Sequence, residues 1–164
     1  MSRSGPAPFR VLFVCTGNIC RSPLAEAIFT HYVREEGLQD RFTIDSAGLD
    51  GWHEGEPADP RTCAIGATHG IDVPSVARRF ASADFDRFDL ILAMDRGHFA
   101  ALRSRAPAAQ RDKVQLMRDY DEPAHHGQDV PDPYYGGPAG FESMYRMLAV
   151  CCRNLLQSLK SSAA

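Results

Sequence analysis

The sequence predicts an α/β domain: a doubly wound, four-stranded parallel sheet flanked by helices, with a phosphate-binding loop after the first strand. Short, continuous apolar runs, typical of strands buried on both faces, alternate with segments that carry helix-start residues. The 164 residues are close to the usual size of one domain, which is enough to bury a core without disulfides or metals. In such sheets, ligands bind at the carboxyl ends of the strands.

Each element follows from a local pattern. The apolar runs predict strands at residues 10–15, 42–47, 88–94 and 114–117. Helix starts are predicted at Ser22-Pro23, Asp59-Pro60 and Asp95, and helix ends at Gly37, Gly70 and Pro107. Apolar steps of three and four from Phe141 to Leu159 predict an amphipathic C-terminal helix.

The chain is predicted to contain one domain, at residues 10–160, between a flexible tail at residues 1–9 and a short tail at residues 161–164. Residues 118–140 are polar and rich in Pro and Gly, so we expect a long loop there. Loops of this length in a compact domain are uncommon and often functional.

Composition excludes several classes of function. A net charge of −3 argues against nucleic-acid binding, and no apolar stretch approaches the length of a membrane span. An odd number of cysteines, five, suits a reducing compartment, so a cytoplasmic location is expected.

No cofactor or metal is expected. The nucleotide-binding glycine motifs and zinc-ligand spacings are missing from the sequence. His125-His126 lies near Asp121, Glu122 and Asp129; we interpret this as a solvated acidic loop rather than a metal site.

The most informative motif is Cys15-x5-Arg21-Ser22, between the first strand and the first helix. A phosphate there meets backbone N–H groups and the positive end of a helix, and Arg21 can bind two of its oxygens. The same positive field favours the thiolate form of Cys15, and Ser22 can hydrogen-bond its sulfur. A buried structural cysteine beside a surface arginine is the alternative.

Residues 11–26, VLFVCTGNICRSPLAE, resemble the phosphate loop of the low-molecular-weight protein tyrosine phosphatases. Residues 132–137, DPYYGG, resemble the acid loop of the same family, and the two motifs stand in the family's order. The resemblance covers residues 9–160 and identifies the single domain as a phosphatase domain. It implies a metal-independent, cysteine-dependent hydrolase acting on phosphotyrosine.

The resemblance assigns roles residue by residue. Cys15 matches the nucleophile that forms a phosphocysteine, Arg21 the phosphate clamp, and Asp132 the acid and then base, with Asp129 as the competing acid. The phosphate cradle is expected at Thr16, Gly17, Asn18, Ile19, Cys20, Arg21 and Ser22. Asn18, Ser46 and His69 match positions that brace the cradle, although His69 also fits a helix end. Asp95 matches a family position at a strand end, and a helix cap explains it equally well.

Cys20 lies five residues after Cys15 and could trap oxidised Cys15 as a reversible disulfide. A small apolar filler is the alternative role for Cys20. The other three cysteines, Cys63, Cys151 and Cys152, are expected to pack in the interior.

Four residues are candidate walls of a cleft for a phosphotyrosine ring: Ile19, Trp52, Tyr134 and Tyr135. Related bacterial protein-arginine phosphatases carry Thr at the Ile19 position, so Ile19 favours phosphotyrosine and leaves arginine phosphatase as the alternative.

Two other functions on this fold are disfavoured. The related arsenate reductases relay oxidation through two further cysteines after the third strand, and here no cysteine lies between Cys63 and Cys151. A non-catalytic phosphotyrosine-binding module is disfavoured because Cys15, Arg21 and Asp132 are all present.

The expected partners are phosphotyrosine proteins, among them a bacterial tyrosine autokinase of the kind that the family often opposes. We expect a monomer or weak dimer, with no nucleic acid or membrane partner. His125, His126 and Gln128 are candidate contacts for a substrate peptide, and the sequence does not rank them.

Overall fold

The strands form one parallel sheet in the order β2-β1-β3-β4. The computed structural model describes residues 7–134 and 136–162. Within these ranges the strands are β1 (Phe9–Cys15), β2 (Phe42–Gly48), β3 (Leu90–Ala93) and β4 (Val114–Leu116). The helices are α1 (Arg21–Glu35), α2 (Pro60–Thr68), α3 (Asp84–Arg87), α4 (Arg96–Arg105) and α5 (Pro138–Ser162).

β1 occupies the centre of the sheet, which explains its unbroken apolar run. Val11 and Phe13 face a buried cluster that includes residues of α1 and α5. Leu12 and Val14 face a second cluster that includes residues of α3 and α4. With both faces covered, every residue from Val11 to Cys15 is buried.

The strand order places the candidate site at a topological switch point. The chain passes from β1 through α1 to β2 on one side, and then returns past β1 to β3 on the other. All strands are parallel, so the segments after Cys15, Gly48 and Ala93 emerge at one edge. A crevice opens at such a reversal of strand order.

Two helix starts agree with their predicted caps. The Asp59 carboxylate accepts a hydrogen bond from the backbone N–H of Arg61, and Asp95 accepts one from that of His98, both at 2.8 Å. Side chains of this kind satisfy N–H groups that have no partner inside the helix.

The observed bounds differ from the predicted ones in places. β1 begins one residue early, at Phe9, and α5 continues to Ser162, into the expected C-terminal tail. α3 was not predicted, because four residues are too few to show a helical period. The expected loop at 118–140 contains short 3₁₀ turns and the first turn of α5. Residues 1–6 and 163–164 of the expected tails lie outside the described residues.

No helix within the described ranges is both long and apolar enough to cross a membrane.

Candidate active site

The phosphate-loop residues curl between β1 and α1. Asn18 has a positive φ of 58°, in the left-handed region that asparagine tolerates better than most residues. The end of β2 lies against the loop: a Cβ on Gly48 would meet the Thr16 carbonyl oxygen at 2.8 Å. Glycine at position 48 therefore permits the close approach of the two backbones.

Cys15 lies at the buried end of a cavity of about 300 Å³. Its Sγ is 2.9 Å from the Ser22 hydroxyl, so a neighbour able to donate a hydrogen bond stands beside the sulfur. The cavity is lined by Cys15, Thr16, Gly17, Ile19, Cys20, Arg21, Asp50, Trp52, His53, Asp132 and Tyr134.

A hydrogen-bond network braces the loop from behind. The Asn18 amide donates to the hydroxyls of Ser22 at 2.8 Å and Ser46 at 3.0 Å, and its oxygen accepts from the Arg78 backbone N–H at 3.0 Å. Ser46 in turn donates to Glu26 at 2.5 Å. Burial raises the pKa of Glu26 to about 7, although the Ser46 hydrogen bond lowers it.

His69 does not join this network, contrary to the expectation that it braces the cradle. It follows the last residue of α2, and its ring stacks on Tyr145 of α5 with 3.7 Å between centroids. Its Nε2 is 3.5 Å from a Glu142 carboxylate oxygen. The partners of the Asn18 amide group are Ser22, Ser46 and Arg78 instead.

Arg21 is 3% exposed and is held by three acceptors. Nη1 donates to Asp95 Oδ2 and to the Val130 carbonyl, both at 3.0 Å. Nη2 donates to Thr16 Oγ1 at 3.3 Å. These contacts tie the start of α1 to the segments after β1 and β3 and to the approach to the acid loop.

The two candidate acids have different surroundings. Asp132 has an exposed side chain, with Oδ2 at 3.6 Å from Arg21 Nη2 and Oδ1 accepting from the Tyr134 backbone N–H. Asp129 instead accepts from the backbone and side chain of Arg96. Burial raises the pKa of Asp129, but these two hydrogen bonds and the positive charges of Arg96 and Arg21 together outweigh it, and the net shift is downward. Asp132, not Asp129, lines the cavity.

The three expected cleft residues that the structure describes, Ile19, Trp52 and Tyr134, line the cavity. Ile19 is nearly buried, whereas Trp52 is 85% exposed and Tyr134 is 36% exposed, as suits a wall and a rim. Tyr135 lies outside the described residues.

Cys20 also lines the cavity, and burial raises the pKa of its thiol to about 12. Cys151 and Cys152 are buried in the cluster that joins α1 and α5, and Cys63 is half-buried. His126 Nε2 contacts the Asp121 carbonyl oxygen at 2.8 Å. Among the described residues, no group of three or more His, Cys, Asp or Glu side chains could hold a metal ion.

His53, which follows Trp52 in the loop expected to border the cleft, lines the cavity, and its ring is 6.4 Å from that of Tyr134. Sequence reasoning missed other residues at the site. Arg61 donates to the Tyr134 carbonyl at 3.0 Å, and its guanidinium lies over the Tyr134 ring. His98 contacts Thr16 from α4. No local pattern marks these residues, because their partners lie far away in sequence.

Comparison with known proteins gives consistent results. The family model described as low molecular weight phosphotyrosine protein phosphatase matches residues 10–164. A low molecular weight protein-tyrosine-phosphatase of Streptomyces coelicolor is 51% identical over 155 residues, covering 93% of this chain and 94% of that protein.

Solved structures agree. YfkJ from Bacillus subtilis superposes with a TM-score of 0.91 at 38% identity, covering 98% of this chain and 100% of that one. A Drosophila arginine phosphatase gives a TM-score of 0.84 at 35% identity, covering 92% and 97%.

Proposed function

This chain belongs to the low molecular weight phosphotyrosine protein phosphatase family, and we propose that it hydrolyses phosphotyrosine in proteins through a phosphocysteine intermediate. One observation carries the mechanism: Cys15, Arg21 and Asp132 line one cavity, although Cys15 and Asp132 are 117 residues apart in sequence. They supply the nucleophile, the anion ligand and the proton donor that phosphate transfer from an aryl oxygen requires.

In the first step, the Cys15 thiolate attacks phosphorus and the P–O bond to tyrosine breaks. The leaving oxygen takes a proton from the Asp132 carboxyl, so that a neutral phenol departs instead of a phenolate whose conjugate acid has a pKa near 10. Arg21 and the backbone N–H groups of the cradle, from Thr16 to Arg21, bind the phosphoryl oxygens as charge develops on them. The contacts of Arg21 support this role, because they hold its guanidinium before a ligand arrives.

In the second step, water attacks the phosphocysteine. The Asp132 carboxylate takes a proton from this water, the P–S bond breaks, and Cys15 departs as a thiolate with inorganic phosphate as the product. The Ser22 hydroxyl at 2.9 Å from Sγ supports both steps, since a hydrogen bond stabilises the thiolate as nucleophile and as leaving group.

The cavity walls favour an aromatic substrate. Ile19, Trp52 and Tyr134 offer apolar and aromatic surface to a phenyl ring, and Ile19 offers no hydroxyl to a polar phosphoguanidine. Tyr135 is the fourth residue that we propose for the substrate cleft, on the sequence alone. Arginine phosphatase activity is the second candidate, and the similarity to a Drosophila arginine phosphatase requires that it be tested.

We further propose that Cys20 protects the nucleophile. Peroxide converts the Cys15 thiolate to a sulfenic acid, and the Cys20 sulfur then attacks it, releases water and forms a disulfide that an added thiol reduces. The support is that both cysteines are free and line the same cavity. Wild type inactivated by peroxide should recover with thiol, whereas Cys20→Ala should stay largely inactive; equal recovery contradicts the role.

The remaining proposals concern the location, cofactors, oligomeric state and partners of the enzyme. We propose a cytoplasmic enzyme that needs no cofactor or metal, acts as a monomer or weak dimer, and has phosphotyrosine proteins as substrates. A bacterial tyrosine autokinase is the proposed partner. Pull-down with a phosphorylated autokinase, using Asp132→Asn to slow turnover, tests this last point; capture that does not depend on phosphorylation contradicts it.

The decisive experiment measures phosphate release from a phosphotyrosine peptide in EDTA and reductant. Wild type should turn over and Cys15→Ser should not, while the control Cys63→Ser, a half-buried thiol that does not line the cavity, should retain activity. A parallel assay with a phosphoarginine peptide separates the two candidates. Turnover of phosphoarginine alone would replace the tyrosine assignment with the second candidate.

A further inference from the structure

The phosphate ligand Arg21 leaves part of its hydrogen-bonding capacity for an oxyanion. Its three described hydrogen bonds, to Asp95, Val130 and Thr16, use three of the five N–H groups of a guanidinium. The bond from Nη2 to Thr16 Oγ1 is the longest of the three, at 3.3 Å. Whatever controls the Thr16 hydroxyl therefore affects the Nη2 side of Arg21.

His98 controls that hydroxyl. Its Nε2 is 2.7 Å from Thr16 Oγ1, and His98 is 6% exposed, so the imidazole end of the contact is shielded from water. Thr16 follows β1 and His98 lies on α4, which follows β3. The pairing of these two neighbouring strands brings the residues together.

The partners of the His98 ring determine where its proton lies. Nδ1 is 3.2 Å from Asp95 Oδ1, without an aligned hydrogen bond. A lone pair on Nδ1 would repel this carboxylate, so the neutral ring carries its proton on Nδ1 and accepts at Nε2. Thr16 then donates its only hydroxyl proton to His98, and an Oγ1 lone pair stays free to accept from Arg21 Nη2.

Burial favours the neutral ring. It lowers the pKa of His98, Asp95 opposes this shift, Arg21 adds to it, and Asp132 and Asp129 oppose it, and the net effect is a pKa below the usual 6.5. At neutral pH the ring therefore acts as an acceptor. At lower pH it becomes a cation close to Arg21.

We propose that His98 is a positioning residue of the phosphate site, which holds the Thr16 hydroxyl so that it accepts from Arg21. Protonated His98 donates from Nε2 instead, so the hydroxyl proton of Thr16 must turn away from the ring, and a second positive charge stands beside Arg21. The site then has two states, and the protonated one binds a divalent oxyanion more tightly. This inference rests on the proposed function, because it assumes that Arg21 binds phosphate.

Sulfate is a suitable probe, since its charge does not change between about pH 5 and pH 8. Its dissociation constant is measured by calorimetry on the reduced full chain. His98→Leu, which removes both the hydrogen bond and the titration, should weaken sulfate binding about ten-fold at neutral pH. His98→Gln, which keeps a hydrogen-bonding group, should stay within about three-fold of wild type. Affinity should rise below about pH 6.5 in wild type, and less so in both variants.

His69→Gln is the matched control, because His69 contacts α5 and does not line the cavity. It should retain the wild-type pH dependence. Wild-type affinity and pH dependence in His98→Leu would overturn the proposal, as would an unchanged pH dependence in His98→Gln.

A second pair of variants covers the case in which the His98 variants fail to fold. Thr16 is exposed, so Thr16→Val and Thr16→Ser test the other end of the contact. Valine should weaken sulfate binding and serine should restore it; equal binding by both contradicts the proposal. Phosphotyrosine turnover by wild type in the same buffer distinguishes failure of the proposed function from failure of the role of His98. Absent turnover and absent sulfate binding defeat the proposed function, whereas normal turnover with insensitive variants defeats only the role of His98.

Discussion

Arg21 and Asp132 carry opposite charges in one cavity but have different exposure. The Arg21 side chain is 4% exposed and fixed by three acceptors, whereas that of Asp132 is 44% exposed and 3.6 Å from Arg21 Nη2. A buried, fixed cation suits the binding of a phosphoryl group. An exposed carboxyl suits the exchange of protons with the leaving group and with water.

The first prediction concerns the acid. Asp132→Asn should lower kcat for phosphotyrosine by about 100-fold or more, because the amide cannot protonate the departing phenol. Aryl phosphates with more acidic phenols should lose much less, since their phenolates leave without a proton. The measurement is kcat across a series of leaving groups, with Asp129→Asn as the control that should leave the slope unchanged. An equal loss for every leaving group would show that Asp132 is not the acid.

The second prediction concerns substrate choice. Ile19 is 9% exposed at the cavity and presents only apolar atoms. Ile19→Thr should shift the ratio of kcat/KM toward phosphoarginine, because a hydroxyl can hydrogen-bond a phosphoguanidine. Ile19→Val keeps the branched shape without the hydroxyl and should preserve the preference for phosphotyrosine. An unchanged ratio in the Thr variant would mean that this residue does not select the substrate.

At the scale of elements, the phosphate loop keeps its shape through Asn18. This residue combines a backbone with φ of 58° and a side chain that reaches Ser22, Ser46 and Arg78. The backbone preference and the hydrogen bonds are separate contributions. They can be separated by two substitutions at the same position.

The third prediction uses that pair. Both Asn18→Gly and Asn18→Ala lose the side-chain network, so kcat should fall several-fold in each. Only alanine also opposes the positive φ, which costs about 1 kcal/mol, so Asn18→Ala should be less stable than Asn18→Gly by about that amount. Urea unfolding measures the difference, and Asn154→Ala on α5 is the control. Equal stability of the two variants contradicts the contribution of the backbone.

The elements that were predictable from sequence are those with a strong local signal. The apolar run of β1, the caps Asp59 and Asp95 and the amphipathic α5 each leave a pattern within a few residues. The four-residue α3 leaves none. The exact strand ends were also not predicted, because strand pairing decides whether Phe9 and the residues flanking β3 belong to the sheet.

The candidate site residues that could be predicted are likewise those with a local sequence signal. Cys15, Arg21 and Asp132 follow from two motifs, and the family and fold predictions are confirmed. His98 could not be predicted, because its contact with Thr16 joins residues 82 positions apart and exists only through the β1-β3 pairing. The stacking of His69 on Tyr145 could not be predicted either, because it depends on the packing of α2 against α5.

At the scale of the whole molecule, Glu26 makes stability depend on pH. It is part of the network behind the phosphate loop, and burial raises its pKa from 4.5 to about 7. The folded chain therefore holds this proton more tightly than the unfolded chain does. The resulting stability is fully present below about pH 4.5 and is lost as pH rises through about 7.

The fourth prediction follows from this sign. Glu26→Gln mimics the protonated acid, so it should unfold like wild type near pH 5 and be more stable near pH 8, by about 1–3 kcal/mol. Thermal or urea unfolding at the two pH values measures this. Glu35→Gln, an exposed position on α1, controls for the loss of a carboxylate. A difference from wild type that is the same at both pH values would count against the buried acid.

The 117 residues between Cys15 and Asp132 have a consequence for synthesis of the chain. The nucleophile leaves the ribosome early, but β1 gains its second neighbour only when residues 90–93 have emerged. The Val130 carbonyl that holds Arg21, and α5, which packs on α1, follow later still. A nascent chain thus carries its thiol long before it can assemble the pocket around it. Phosphatase activity should therefore appear only when nearly the whole chain has been released, which makes enzymatic turnover a direct reporter of completed folding.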